Sequence, residues 1–173
     1  MEDQEEILDL VNKNDEVIGT IRRSEIHTLD DLQHGFIRAV DMFIVNDEGK
    51  VWVPRRTADK QIAPNGLDFS VGGHVSSGDD YLETCIREAA EEVNLHIRPD
   101  ELEFVKSYTP NSIQYFRKVY VYRSNDTPDF NPHDFTEAHW LTPDEAIARL
   151  DAGELAKSSL RPTLLDLKDY LQK

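Results

Sequence analysis

Short apolar runs separated by turn residues make up most of the chain, and one longer stretch changes period. Residues 7–11 and 17–21 are two short strands around the polar turn Asn12-Lys13-Asn14-Asp15. Residues 36–45 and 50–54 are apolar strands joined by Asn46-Asp47-Glu48-Gly49, a strong hairpin signal. A short strand at 67–71 precedes Gly72-Gly73, which is expected to interrupt regular structure. From 80 to 94 the spacing turns helical: Leu82, Ile86, Ala89, Ala90 and Val93 form one apolar stripe. Residues 102–108 and 113–122 follow as a strand pair, and 138–141 as a last strand. Pro143 opens a helix, and Pro162 sits near the start of a C-terminal helix over 160–172. The segments 24–35, 57–66 and 125–135 are polar; the first can hold a short helix, and the others are loops. This irregular interleaving predicts an α+β fold, a mixed β-sheet covered by helices on both faces.

Composition narrows the partners. The formal net charge is -15, from 34 acidic residues against 19 basic ones. Such a field repels long nucleic acid and anionic membranes, and no Lys/Arg stripe opposes it. A small anionic substrate remains compatible if local cations or a metal receive it. Cys85 is the single cysteine, which leaves no internal disulfide and no cysteine-based zinc site. It is expected to be a half-buried helix residue. No apolar run approaches the ~20 residues of a membrane span, and the acidic start resembles no targeting segment. The cytoplasm is the expected location.

The helix over 80–94 carries the candidate chemistry. Glu88, Glu91 and Glu92 stand at i, i+3 and i+4, on a common face expected to lie opposite the apolar stripe. The like charges cost on the order of 0.2–0.5 kcal/mol per pair, and the dipole at this helix end disfavours anions. A hard cation would turn that penalty into coordination, since Mg²⁺ takes carboxylate oxygens and keeps several waters. A plain solvated acidic face is the competing reading. Two features weigh against it. Gly72-Gly73 ahead of the helix can offer bare backbone to a ligand, and Arg87 can hold a carboxylate through its planar fork.

Gly73, Asp79 and Arg87-Glu88-Ala89-Ala90-Glu91-Glu92-Val93-Asn94-Leu95 together resemble the Nudix box of the Nudix hydrolases. Asp79 stands where that signature has its first glutamate, and Asn94 where it has a glycine; Asn94 can adopt the left-handed conformation of a helix end. Trp140-Leu-Thr-Pro-Asp-Glu145 is similar to the tryptophan strand and acidic helix start that often follow. The resemblance implies one Nudix domain over 1–173, an α/β/α sandwich with a mixed sheet. It further implies hydrolysis of a nucleoside diphosphate linked to another group, with Mg²⁺ or Mn²⁺ as cofactor. Glu91 and Glu92 would be metal ligands, the Gly72 carbonyl a further one, and Glu88 a ligand or the base that activates water. Arg87 would orient Glu88. A loop acid, Asp134 or Glu137, is the alternative base.

The upstream residues resemble the branch that contains type I isopentenyl-diphosphate isomerases. Pro54-Arg55-Arg56-Thr57 through Lys60 is similar to its basic strand end, Phe69-Ser-Val-Gly-Gly-His74 to its Ser-Val-Cys-Gly-His segment, and His27 with His34 to a metal-ligating pair. Arg55, Arg56 and Lys60 are accordingly expected to bind diphosphate, with Arg38 a further candidate. His27, His34 and His74 are expected to form a second metal site. Isomerisation needs a cysteine and a glutamate on either side of the alkene. Gly72 occupies the cysteine position, and Tyr115-Phe116-Arg117-Lys118 holds no carboxylate. Hydrolysis is therefore the expected chemistry; an isomerase-like protein and a non-catalytic diphosphate-binding domain are the alternatives. The hairpin at 7–21 can pair across a homodimer.

Overall fold

A computed structural model describes residues 5–29, 35–110 and 115–173, with side chains described for all of these except residues 27–29. The chain begins with the hairpin β1 (Ile7–Val11) and β2 (Val17–Arg22), followed by a 3-10 turn, Arg23–Leu29. The main sheet is built from β3 (Ile37–Val45), β4 (Val51–Arg56), β5 (Val71–His74), β6 (Leu102–Tyr108), β7 (Tyr115–Arg123) and β8 (Phe135–Leu141). Three α-helices accompany it: α1 (Tyr81–Val93), α2 (Pro143–Asp151) and α3 (Leu160–Leu171). Strand order is β6-β7-β3-β4-β8, with β5 paired to β3. The β3–β7 pair is parallel and the other pairs are antiparallel, so the sheet is mixed as expected.

The sheet alternation sends β3 side chains to two cores. Val40, Met42 and Ile44 pack with Cys85, Ala89 and Val93 of α1. Phe43 and Val45 pack with Ala146 of α2 and with Leu160, Leu164 and Leu167 of α3. Helices thus cover both faces. Their starts are well specified: Asp80 and Glu83 form a capping box on α1, and Thr142 and Glu145 form one on α2 behind Pro143. Among the described residues, no helix is long and apolar enough to cross a membrane.

One irregularity positions the site. β3 meets β4 only at the hairpin end, through Val45 and Val51, while residues 39–42 of β3 pair with β5 instead. Ser70 bridges the fork: its hydroxyl accepts from the Ile44 amide at 2.9 Å and donates to the Trp52 carbonyl at 2.6 Å. Gly72 and Gly73 therefore lie inside a strand, opposite Asp41 and Val40, and do not interrupt regular structure. Their neighbours satisfy the ladder, so the glycines' purpose is close approach by side chains and not a bend.

Candidate active site

α1 packs across β5, and this sets where its acids point. The buried stripe runs through Tyr81, Cys85, Ala89 and Val93, with Leu82 and Ile86 only partly covered. Glu88 and Glu92 border that stripe; the expected placement opposite it is corrected. A side chain next to the stripe is carried down onto the sheet, where a bare glycine backbone leaves room. The Glu92 Oε2 atom accepts from the Gly72 amide at 3.4 Å. A Cβ on Gly73 would overlap the Glu88 carboxyl, so only glycine permits that approach. A Cβ on Gly72 would stand 2.8 Å from Asp41 Oδ1. Cys85 is wholly enclosed in the core and not half-buried, and burial pushes its thiol far up.

Burial also raises both carboxyls. Glu88 is pushed up to about 7, chiefly by desolvation, with Arg87 opposing the rise and Glu91 adding to it. Glu92 is pushed well above the usual carboxylate range by burial, then by its neighbours Glu88 and Asp68. Arg87 lies over the group, 3.2 Å from Glu88, 3.5 Å from Glu91 and 3.7 Å from Asp79. Glu91 stands at the rim with 58% of its side chain exposed. Among the described residues no three His, Cys, Asp or Glu side chains already converge on one point. The inward pair is Glu88 and Glu92. Asn94 ends the helix at φ 53°, ψ 31°, the left-handed conformation expected of it.

These groups line a cleft of about 630 Å³. Its charged lining is balanced: Glu6, Asp41, Glu88, Glu91, Glu92 and Asp134 against Arg23, Arg56, Lys60, Arg87, Arg117 and Lys157. Asn131 and Asp134 are delivered by the 124–134 loop, which α1 anchors: the Asn131 amide donates to the Glu92 carbonyl at 2.7 Å. Asn94 Nδ2 holds the same loop through the Asp129 carbonyl at 2.6 Å. Lys60 donates to Asp134 at 2.7 Å within the cleft.

Other expected residues are placed apart. Arg55 is not part of the lining; it pairs with Glu137 at 2.5 Å and with Glu154. Glu137 is an exposed β8 residue held by that arginine and by His139. Arg38 donates to Asp15 at 2.6 Å under Tyr81. His74 lines the cleft, stacked on Tyr115 at 5.6 Å, with Nδ1 buried and without a hydrogen-bond partner among the described residues. Burial holds its imidazole neutral, down to about 3, with Arg23 and Lys157 adding to the depression. His34 and the side chain of His27 lie outside the described residues, so the three-histidine site finds only one member here.

Several lining residues escape sequence reasoning, among them Asp41, Arg117 and Lys157. Asp41 and Arg117 form a buried pair at 2.5 Å, and Arg117 also donates to Thr163 at 3.1 Å. Arg117 was visible only as a non-carboxylate in the 115–118 stretch, and Asp41 as a polar interruption in an apolar strand. Lys157 carried no signal beyond its charge.

A mixed sheet between helices, with an Arg-Glu-x-x-Glu-Glu helix laid over a glycine pair, defines the Nudix class. The family model described as the NUDIX domain matches residues 35–163, and the chain belongs to that family. It is 43% identical to a Nudix hydrolase of Deinococcus radiodurans over 158 residues, 90% of either chain. It is 45% identical to an uncharacterized Nudix hydrolase of a Nostoc species over 157 residues, covering 90% of this chain and 91% of the relative. The crystal structure of DR0079 from D. radiodurans superposes with a TM-score of 0.82 at 42% identity, covering 92% of this chain and 97% of that one. The MutT protein of Methanosarcina mazei shares the fold at 17% identity, TM-score 0.63, covering 83% of this chain and all of that one.

Proposed function

We propose that this chain hydrolyses a diphosphate linkage in a nucleoside-diphosphate or related small compound, with Mg²⁺ or Mn²⁺ bound at the glutamates of α1. The observation that carries this reading is the pair Glu88 and Glu92, sunk onto the bare backbone of Gly72 and Gly73. Two carboxylates pressed into one partly dry site resist joint ionisation, and a cation would relieve that. The donor set is all oxygen, which suits Mg²⁺ or Mn²⁺. Glu88, Glu92 and the Gly72 backbone would hold the ion, with Glu91 at the rim completing the shell directly or through water.

A bound ion neutralises diphosphate charge and lowers the pKa of a bound water. The chain's own residues do the rest. Arg87 keeps the Glu88 carboxylate turned to the cleft. Arg56 and Lys60 line the same space, already paired with Asp68 and Asp134, while Arg55 pairs with Glu137 and Glu154 outside it. Glu88 and Asp134 are the acids placed to take a proton from water; Glu137 stands outside the cleft. The test is a panel of nucleoside-diphosphate compounds incubated with Mg²⁺, with phosphate or nucleotide release as the readout. Hydrolysis of a panel member that stops in excess chelator is expected. Turnover that persists after verified metal removal would sink the proposal.

A further inference from the structure

The cleft is polarised. Arg87 pairs with both Glu88 and Glu91, whereas on another wall two lining cations, Arg56 and Lys157, converge on the buried Asp68. Arg56 Nη1 lies 2.5 Å from Asp68 Oδ2, and Lys157 Nζ lies 3.1 Å from Asp68 Oδ1. That Oδ1 also accepts from the Phe69 amide at 2.7 Å. Asp68 is thus satisfied on both oxygens without Lys157, whose charge also acts on Asp41 and Glu92 across the cleft. Arg56 is almost fully enclosed, with 7% of its side chain exposed, while Lys157 keeps 21%. An ammonium has three donors, and Asp68 engages one of them.

The backbone fixes Lys157 in place. Its amide donates to the Leu67 carbonyl at 3.1 Å, and Ala156 before it bridges Leu67. Ser158 and Ser159 follow it in the lining and lead into α3, and the Ser159 hydroxyl makes no capping bond. Lysine is a point charge well suited to a phosphate group, and the serine hydroxyls can donate beside it.

We propose that Lys157 is a substrate-binding residue whose ammonium, flanked by Ser158 and Ser159, receives phosphate oxygens of the diphosphate in the cleft. The inference rests on reading the site as a diphosphate hydrolase, and adds to it a contact from the segment before α3. A purely structural lysine is the rival: it would serve Asp68 alone, and its loss would weaken the fold without regard to ligand.

Methylenediphosphonate, which resists hydrolysis, separates these by calorimetric titration in Mg²⁺. Lys157→Met should weaken its binding by about tenfold or more, the scale of one charge-assisted hydrogen bond. Lys157→Arg should recover most of the affinity. Mg²⁺ titrated alone should bind Lys157→Met as well as wild type or better, since a cation near Glu92 has been removed. Equal methylenediphosphonate affinity in wild type and Lys157→Met would overturn the proposal while leaving the diphosphate reading intact. No binding by wild type would overturn both. Should Lys157→Met fail to fold, side-chain ¹⁵N signals of lysine in the wild-type chain decide, with Lys157→Arg assigning the resonance. The Lys157 signal should shift on adding methylenediphosphonate; an unmoved signal at saturation would overturn the proposal.

Discussion

Gly73 and Glu88 occupy each other's space: the glutamate carboxyl sits where a side chain on residue 73 would begin. The strand is regular there, with Gly73 opposite Val40, so the glycine answers a side chain and not a backbone turn. The obstacle is the end of a flexible side chain, which can swing away. Gly73→Ala should therefore displace Glu88 and leave the fold largely intact. The expected outcome is a melting temperature close to wild type with hydrolysis reduced on the order of 10²-fold, as for loss of one key electrostatic group. A variant that keeps full activity would show that Glu88 need not rest against the strand.

The α1 acids were legible because their chemistry depends on residue type at fixed spacing along one helix. The neutral histidine, the fork of β3 and the second wall of the cleft were not. Asp41, Arg117 and Lys157 come from β3, β7 and the segment before α3, and only the sheet order unites them. The glycines were singled out as bare backbone for a ligand, whereas here the side chains of Glu88 and Asp41 approach them, and their place within β5 depends on β3 leaving β4 after one pair. No local periodicity reports such a split. Arg55 shows the converse: it stands beside Arg56 in sequence, yet strand alternation sends the neighbours to different faces and different partners.

Glu92→Gln separates coordination from packing. Burial and the neighbouring Glu88 and Asp68 push the Glu92 carboxyl toward its neutral form, which glutamine imitates. In excess chelator near pH 8 the variant should melt at or above the wild-type temperature. Its turnover should fall by on the order of 10²–10⁴, the range for removing an essential acid–base or electrostatic group. Unchanged turnover under limiting metal would mean that Glu92 does not hold the ion.

Isomerase activity should be absent. Isopentenyl diphosphate incubated with the protein and Mg²⁺ in deuterated water should show no label entering carbon positions. Gly72 supplies no thiol, and Arg117 is locked to Asp41. Gly72→Cys should not confer the activity either, because the new Cβ would stand 2.8 Å from Asp41 Oδ1 and disturb a buried ion pair. Crowding Asp41 beside its bond to Arg117 should also lower the melting temperature of that variant. Enzymatic deuterium incorporation by the wild-type protein would overturn the hydrolase reading of this wall.

Stabilisation by Mg²⁺ should grow with pH. An unfolded glutamate titrates near 4.5, whereas Glu88 in the metal-free fold is pushed up to about 7, chiefly by burial. Through that interval the folded protein holds a proton the unfolded chain has lost. Stability tied to Glu88 is therefore fully present below about 4.5 and is lost as pH rises through about 7. Glu92, raised by burial beside it, acts in the same direction. A divalent ion binds the ionised carboxylates, so it competes with protons at low pH and supplies the missing counter-charge at high pH. Melting curves from pH 5 to 8, in chelator and in millimolar Mg²⁺, should nearly coincide at the acid end and separate progressively above about pH 6, the midrange of the Glu88 shift. Glu88→Gln should flatten the chelator series, since its amide has no charge to develop. A gap between the two curves that stays constant with pH, or closes as pH rises, would exclude Glu88 and Glu92 as the residues that hold the ion.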